Sequence, residues 1–482
     1  MTKNPNIIFV LTDQMRSTAM GCSGVEKVIT PNLDKLADEG TRFTNAIANS
    51  PACTPSRANL LTGMHTLSHG LVNNDMELGT NYRGFAHCLN DAGYKCGYIG
   101  KWHLGDIDRG AFIPPGPKRQ GFDDFWAVSD CNHNYFAGYV YINDDPEPVW
   151  LDGYEPEGQT ELAINYIKEK SISDNPFCLI LSWGPPHCPY EMVPQKYLDK
   201  YPTGEIELLP NAVDSDVQST KSVGRTPEPS SMTKEQQGKR KKEIIAGYYA
   251  HITALDELFG EISDTVKEAG IDKNTIVIFS SDHGDMLFSQ NRGWKGKPWR
   301  ESVGIPLIMK LPGKIPAGKV TNKPISMVDL MPTILSLAGV DFPAEVEGID
   351  LSEFVCGNEN SARESVFINF PCIPKFFSYD EWRGVVTESY TYVRLRDKPW
   401  LLYDDNNDPF QLKNLVNIYD YEKIQNDLEN KLSEWMKKTN DKFETSEAIA
   451  DKLCPGHIDY IVPCTCNEKI VEGQKARMKL LG

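Results

Sequence analysis

Asn6-Ile7-Ile8-Phe9-Val10-Leu11-Thr12-Asp13 is an apolar run that ends abruptly in a carboxylate. Its apolar residues are continuous rather than alternating with polar ones, so both faces of the extended chain are expected to be buried, as in an interior strand of a parallel sheet. Such a strand delivers its last residue to the carboxyl edge of the sheet, where open α/β folds place their ligands. A second run, Asn274 to Ser281, ends in Asp282. Two carboxylates distant in sequence are thereby expected at the ends of strands.

Outward from these runs, helix and strand signals alternate. Thr30-Pro31-Asn32-Leu33-Asp34 opens an amphipathic helix to Glu39 that Gly40 closes, and a helix from Arg83 to Ala92, stopped by Gly93, precedes a strand at Tyr94 to Ile99. Further along come a helix at Glu161 to Lys170, a strand at Pro176 to Trp183 and a long helix at Lys241 to Ala269. A strand at Ile305 to Leu311 and a helix at Met327 to Ala338 follow. The alternation predicts an α/β fold with a large mixed, mainly parallel sheet flanked by helices. After about residue 365 the texture turns to strand-turn-strand, with a hairpin at Gly384 to Arg396 and a helix near Tyr421 to Lys437. The expected division is a catalytic domain, 1–365, and a small α+β C-terminal subdomain, 366–482, with an antiparallel sheet and a helix. The polar stretch Thr203 to Lys241 reads equally as an excursion or lid over a site and as a disordered insertion.

The 482 residues carry a net charge of −17, which argues against nucleic acid or an anionic membrane as partner. An anionic substrate would therefore need a local basic pocket. No apolar run approaches the ~18 residues of a membrane span. Met1-Thr2-Lys3-Asn4-Pro5 leads straight into the first strand without an apolar signal core, so the expected location is cytoplasmic, or exported or periplasmic if a signal peptide has been removed. Twelve cysteines are too sparse for a disulfide scaffold, and Cys178 sits inside an apolar strand, so most are expected as free buried thiols. Cys454, His457, Cys464 and Cys466 lack two paired knuckles, which favours loop thiols or one local disulfide over zinc. Nothing in the chain signals an oligomeric state.

The strongest chemical signal is Cys53-Thr54-Pro55-Ser56-Arg57, followed by Leu60-Leu61-Thr62-Gly63. An isolated cysteine in a turn would be a buried thiol. The complete string resembles the signature of the type I, formylglycine-dependent sulfatases of the alkaline phosphatase superfamily. The resemblance implies an alkaline-phosphatase-like fold and conversion of Cys53 to formylglycine by a generating maturase, with Ser56 belonging to the recognition motif. A sulfate ester shields its sulfur with anionic oxygens, so the nucleophile must be strong and held beside a cation. Hydrated formylglycine supplies one hydroxyl to attack and a second to expel the sulfate, which a serine could not do.

The same resemblance implies a metal set of Asp13, Gln14, Asp282 and His283, completed by the oxygen of converted Cys53. Hard oxygen donors suit one divalent cation, Ca2+ first, with Mg2+ or Mn2+ as alternatives. The stretch Phe279-Ser280-Ser281-Asp282-His283-Gly284-Asp285-Met286-Leu287 resembles the family's second metal motif. Gln14 stands where many relatives have a second acid, a feature reminiscent of the phosphonate monoester hydrolase and choline sulfatase branches.

Gly100-Lys101-Trp102-His103-Leu104-Gly105 resembles a third motif, implying that Lys101 steadies diol and sulfate and that His103 is the base that triggers collapse. Arg57 would brace the diol through charge-assisted bonds. Pro185-Pro186-His187-Cys188-Pro189-Tyr190 resembles the family's Pro-His-x-Pro segment, implying that His187 contacts the sulfate and protonates the leaving oxygen. In Trp294-Lys295-Gly296-Lys297-Pro298-Trp299-Arg300-Glu301-Ser302 the spacing aligns Lys295 with the sulfate-binding lysine, with Lys297 as the fallback. Trp299-Arg300 departs from the usual Tyr-Glu. The expected activity is sulfuric ester hydrolysis on a sulfated small molecule or saccharide. Two rivals remain: phosphonate monoester, phosphodiester or choline-sulfatase-like hydrolysis at the same site, and a sulfoglycan-binding protein with unconverted Cys53. Asp130 to Tyr135 and Thr203 to Lys241 are the expected pocket walls.

Overall fold

The strand Asn6–Asp13 is buried along its whole length at the heart of a ten-stranded sheet, with Phe177–Pro186 on one side and Thr275–Ser281 on the other, both parallel to it. The computed structural model describes residues 4–105, 107–212, 233–374, 380–455 and 467–480. Lys95–Lys101 and Phe125–Ser129 extend the parallel set beyond Phe177–Pro186. On the other side Leu307–Lys310 joins Thr275–Ser281 antiparallel, so the sheet is mixed and mainly parallel, as expected. Alternate residues of the first strand feed two different cores. Ile8 and Val10 pack with Tyr248, Ile252 and Leu255 of the long helix Lys234–Glu268. Ile7, Phe9 and Leu11 face Leu60, Leu61 and Ile334 on the opposite side. A strand sandwiched this way gains about 1.5–3 kcal/mol for each large side chain it buries, which is why its sequence admits no polar alternation.

Register carries the functional consequence. Thr12 pairs with Ser281 and Asp13 with Pro186, so Asp13, Asp282 and the segment after Pro186 emerge at one edge. The Asp282 amide donates to the Thr12 carbonyl at 3.1 Å, continuing the ladder one step beyond the strand.

Several boundaries differ from expectation. The long helix starts at Lys234, not Lys241, because Thr233 and Gln236 form a reciprocal capping box that a polar stretch conceals. The helix expected at Glu161 begins at Glu155, with Pro156 in its first turn, where its missing N–H costs nothing. The single strand expected over Ile305 to Leu311 is two: Gly304–Ile305 joins a three-stranded sheet and Leu307–Lys310 joins the large one. Pro306 lies between them and has no N–H to continue a ladder.

Ser365–Phe370, Trp382–Thr387, Tyr390–Leu395 and Pro399–Asp404 form a four-stranded antiparallel sheet, which contains the expected hairpin. One face packs on Leu428 and Leu432 of the helix Glu422–Lys438. The other places Ile368, Trp382 and Val393 against Ala52, Met286 and Trp299, so this sheet closes on loops beside Cys53 and His283. Ten described cysteines are free, and Cys454 is buried in one cluster with Cys372. His457, Cys464, Cys466 and residues 213–232 of the polar stretch lie outside the described residues. No described helix is long and apolar enough to cross a membrane.

Candidate active site

Cys53 opens the wholly buried helix Cys53–Thr62, so its side chain sits at the positive end of the helix dipole. Three tethers hold that end. Thr54 donates its hydroxyl to the His103 carbonyl at 2.8 Å, Asn74 accepts the Thr54 amide at 3.2 Å, and Ser56 donates to the Asp282 carbonyl. Ser56 therefore has a structural task besides its place in the signature, locking the helix to the second strand end.

Around the Cys53 sulfur stand cations and metal-type ligands. Lys295 Nζ is 2.8 Å from it and Lys101 Nζ 3.9 Å, while His283 Nε2 is 3.3 Å away and both Asp13 oxygens 3.6 Å. Burial and Asp13 push the thiol up; Lys101, Lys295 and His283 outweigh them and leave it well below the ordinary thiol range. Arg57 reaches behind the helix, pairing with Asp282 at 2.9 Å and donating to the Lys101 carbonyl and Ser182 Oγ at 2.9 and 2.8 Å. Lys101 is paired with Asp13. Lys297, the fallback lysine, donates to the Lys295 carbonyl at 2.7 Å; burial brings it down to about 7.

Asp13, Cys53, Asp282 and His283 bring ligand atoms within 4.8 Å of one another. His283 Nδ1 faces the Gly284 carbonyl at 2.9 Å, which assigns the proton there and leaves the Nε2 lone pair facing Asp13, Asp282 and Cys53. Gln14 gives its amide N–H to Asp285 at 2.7 Å, and its buried Oε1 has no hydrogen-bond partner. Burial and Asp13 push Asp282 up against the opposing pull of His283 and Arg57. Clustered buried acids, an orphaned amide oxygen and an imidazole with a free lone pair fit a divalent cation.

The two remaining histidines occupy different surroundings. His187 stacks on His133 with ring centroids 4.1 Å apart, and its Nδ1 faces the Cys188 carbonyl at 2.8 Å. Burial, with Lys295 and Lys101, holds it well below the ordinary histidine range against the opposing pull of Asp13 and Cys53. His103 Nε2 is 3.0 Å from Asp75 Oδ1, and Arg109 forks onto the same carboxylate at 2.7 and 2.8 Å. His103 and Gln14 both hold left-handed backbone, φ 58° and 71°, the kind of local strain that gathers at working sites. Asp75, Asn74 and His133 carry no motif that would have marked them. Asp285 stood inside a quoted motif without a role, and the structure supplies one: orienting Gln14. Of the expected pocket walls, His133 in Asp130 to Tyr135 does meet the site.

The sulfatase family profile matches residues 5–340. The chain belongs to the sulfatase family. It is a sulfuric ester hydrolase of the alkaline phosphatase superfamily. A second profile, the C-terminal region of N-sulphoglucosamine sulphohydrolase, matches residues 291–438 of this sulfatase. An ulvan-active sulfatase of Formosa agariphila is 35% identical over 93% of the chain and 84% of its own length. An N-acetylglucosamine-6-O-sulfatase of Bacteroides thetaiotaomicron is 27% identical over 93% and 89%. A solved sulfatase structure from Bacteroides fragilis superposes with a TM-score of 0.77 at 32% identity, covering 92% of this sulfatase and 98% of that chain.

Proposed function

We propose that this sulfatase hydrolyses the sulfate ester of a sulfated saccharide, using formylglycine made from Cys53 by a maturase and one divalent cation, Ca2+ before Mg2+ or Mn2+. The observation that carries the reading is the convergence of Lys101, Lys295 and His283 on a buried residue 53 in a chain of net charge −17. A local cationic pocket in an acidic protein is what an anionic ester group requires. The names of the relatives, one active on ulvan and one on N-acetylglucosamine-6-O-sulfate groups, support a saccharide. We read residues 1–365 as the catalytic unit and 366–482 as the subdomain that covers its edge.

In this reading Asp13, Gln14, Asp282, His283 and residue 53 would hold the cation, which would supply positive charge to the sulfate oxygens. Lys101 and Lys295 bind those oxygens, and Arg57 keeps Asp282 and the helix end in place. His187 gives a proton to the leaving oxygen, and His103 takes one from residue 53 to release sulfate.

Protein coexpressed with a maturase should show residue 53 with sulfur exchanged for oxygen and two hydrogens lost, measured by peptide mass. It should turn over an aryl sulfate faster than an aryl phosphonate, and chelation or Asp282→Ala should cost at least ~100-fold. Full turnover with Cys53 entirely thiol would sink the nucleophile. A preference for the phosphonate would move the enzyme to the rival branch. No turnover of any ester would leave the binding-protein reading.

A further inference from the structure

Both family profiles end before residue 439, yet the helix Glu468–Leu480 packs onto loops that reach the candidate site. Ile470, Gly473, Gln474 and Arg477 form one face of it. Ile470 is buried with Tyr139 and Tyr141. A side chain at Gly473 would overlap the Trp150 indole, so glycine is what lets the helix lie this close. Arg477 sits over the same indole, 5.4 Å from its centre, and pairs with Asp152 at 3.2 Å.

From this seat two lines run inward. Gln474 Nε2 donates to Asn132 Oδ1 at 2.9 Å and reaches the Ala137 carbonyl at 3.4 Å; the same Asn132 oxygen accepts the Asn134 amide at 3.0 Å. His133 is thus carried on a loop pinned at both ends, and its ring lies flat on His187. On the second line, the Asn467 amide donates to Asp108 Oδ1 at 3.0 Å, and Tyr141 donates to the Gly110 carbonyl at 2.8 Å. Arg109, between them, grips Asp75 and through it His103.

We propose that the Glu468–Leu480 helix is a clamp that sets the saccharide side of the pocket, with Gln474 as the positioning residue that holds His133 against His187. The proposal rests on the saccharide reading above. His187 is partly exposed and His133 lies flat against it, so a group attached to a sulfate in the cationic pocket would meet this histidine pair. A small aryl sulfate fills the cationic pocket and touches little of the loop; a saccharide rests on it. Loosening the loop therefore weakens saccharide binding more than it weakens the chemistry at residue 53.

The test compares the full-length formylglycine enzyme with Gln474→Met, which keeps length and loses both donors, and Gln474→Lys, which keeps a donor of similar reach. Substrates are a sulfated oligosaccharide that the wild type turns over and an aryl sulfate. Gln474→Met should raise the saccharide KM about tenfold, with a loss in kcat/KM at least five times larger than on the aryl ester. Gln474→Lys should recover most of it. If Gln474→Met unfolds, Gly473→Ala, which presses the helix off Trp150, carries the same comparison. Equal losses on both substrates, or none, would overturn the clamp while leaving wild-type sulfatase turnover intact. Absence of saccharide turnover in the wild type would overturn the saccharide reading first, and the clamp with it.

Discussion

His103 is buried and His187 partly exposed, both close to the residue 53 pocket, and their surroundings drive them in opposite directions. Around His103, burial and Lys101 favour the neutral ring, but Cys131 and Asp75 prevail and raise it well above the ordinary histidine value. Around His187, burial and the lysines Lys295 and Lys101 prevail over Asp13 and Cys53 and lower it well below that value. The two rings are thus shifted in opposite directions, His103 towards the imidazolium and His187 towards the neutral form. The contrast shows that a histidine's role is set by the charges its neighbours bring.

The sharpest way to break this contrast is by leaving group. His187→Ala should cost about 10³-fold on sugar sulfates, which need a proton on the departing oxygen, and far less on activated phenols. An equal loss on both, measured as kcat/KM, would remove the donor role. His103→Ala should retain the first step and stall, giving a burst of one leaving group per enzyme and a steady rate about 100-fold down. Neither burst nor sulfate retained on residue 53 would strip His103 of its base function.

Asp75→Asn sharpens the comparison instead of breaking it. Deleting the carboxylate that stabilises the imidazolium lowers the pKa of His103, so a rate limb that rises as His103 deprotonates should move to lower pH by about one unit. An unmoved limb in the pH profile of kcat would mean that His103 does not set it. The smallest effect is expected at Lys297. Its amine is buried, near neutrality and turned to the Lys295 carbonyl. Lys297→Met should cost less than about threefold, against about 100-fold for Lys295→Met. Comparable losses in turnover would mean that both lysines meet the sulfate.

The strand ends were legible because burial on both faces leaves a mark in one dimension: Asn6–Asp13 and Thr275–Ser281 are buried throughout, carry an unbroken apolar run, and each leads to an acid. Their neighbours were legible by resemblance, through contiguous strings such as Cys53-Thr54-Pro55-Ser56-Arg57. Helix starts at Lys234 and Glu155 were missed because caps are polar and look like loop. Pro306 was read through, although it divides a strand between two sheets.

What the sequence determined by itself is therefore the α/β class, the pair of carboxylates at strand ends and the identity of residues 53, 57, 101, 103, 187, 283 and 295 as candidates. Only the tertiary structure decided which lysine faces Cys53, that Gln14 is turned by Asp285, that His103 is tied to Asp75 and that His187 lies under His133. The physical reason is range. A strand's burial is written in adjacent residues, whereas electrostatic and hydrogen-bond partners act across a few ångströms of space, between segments that only the folded sheet brings together.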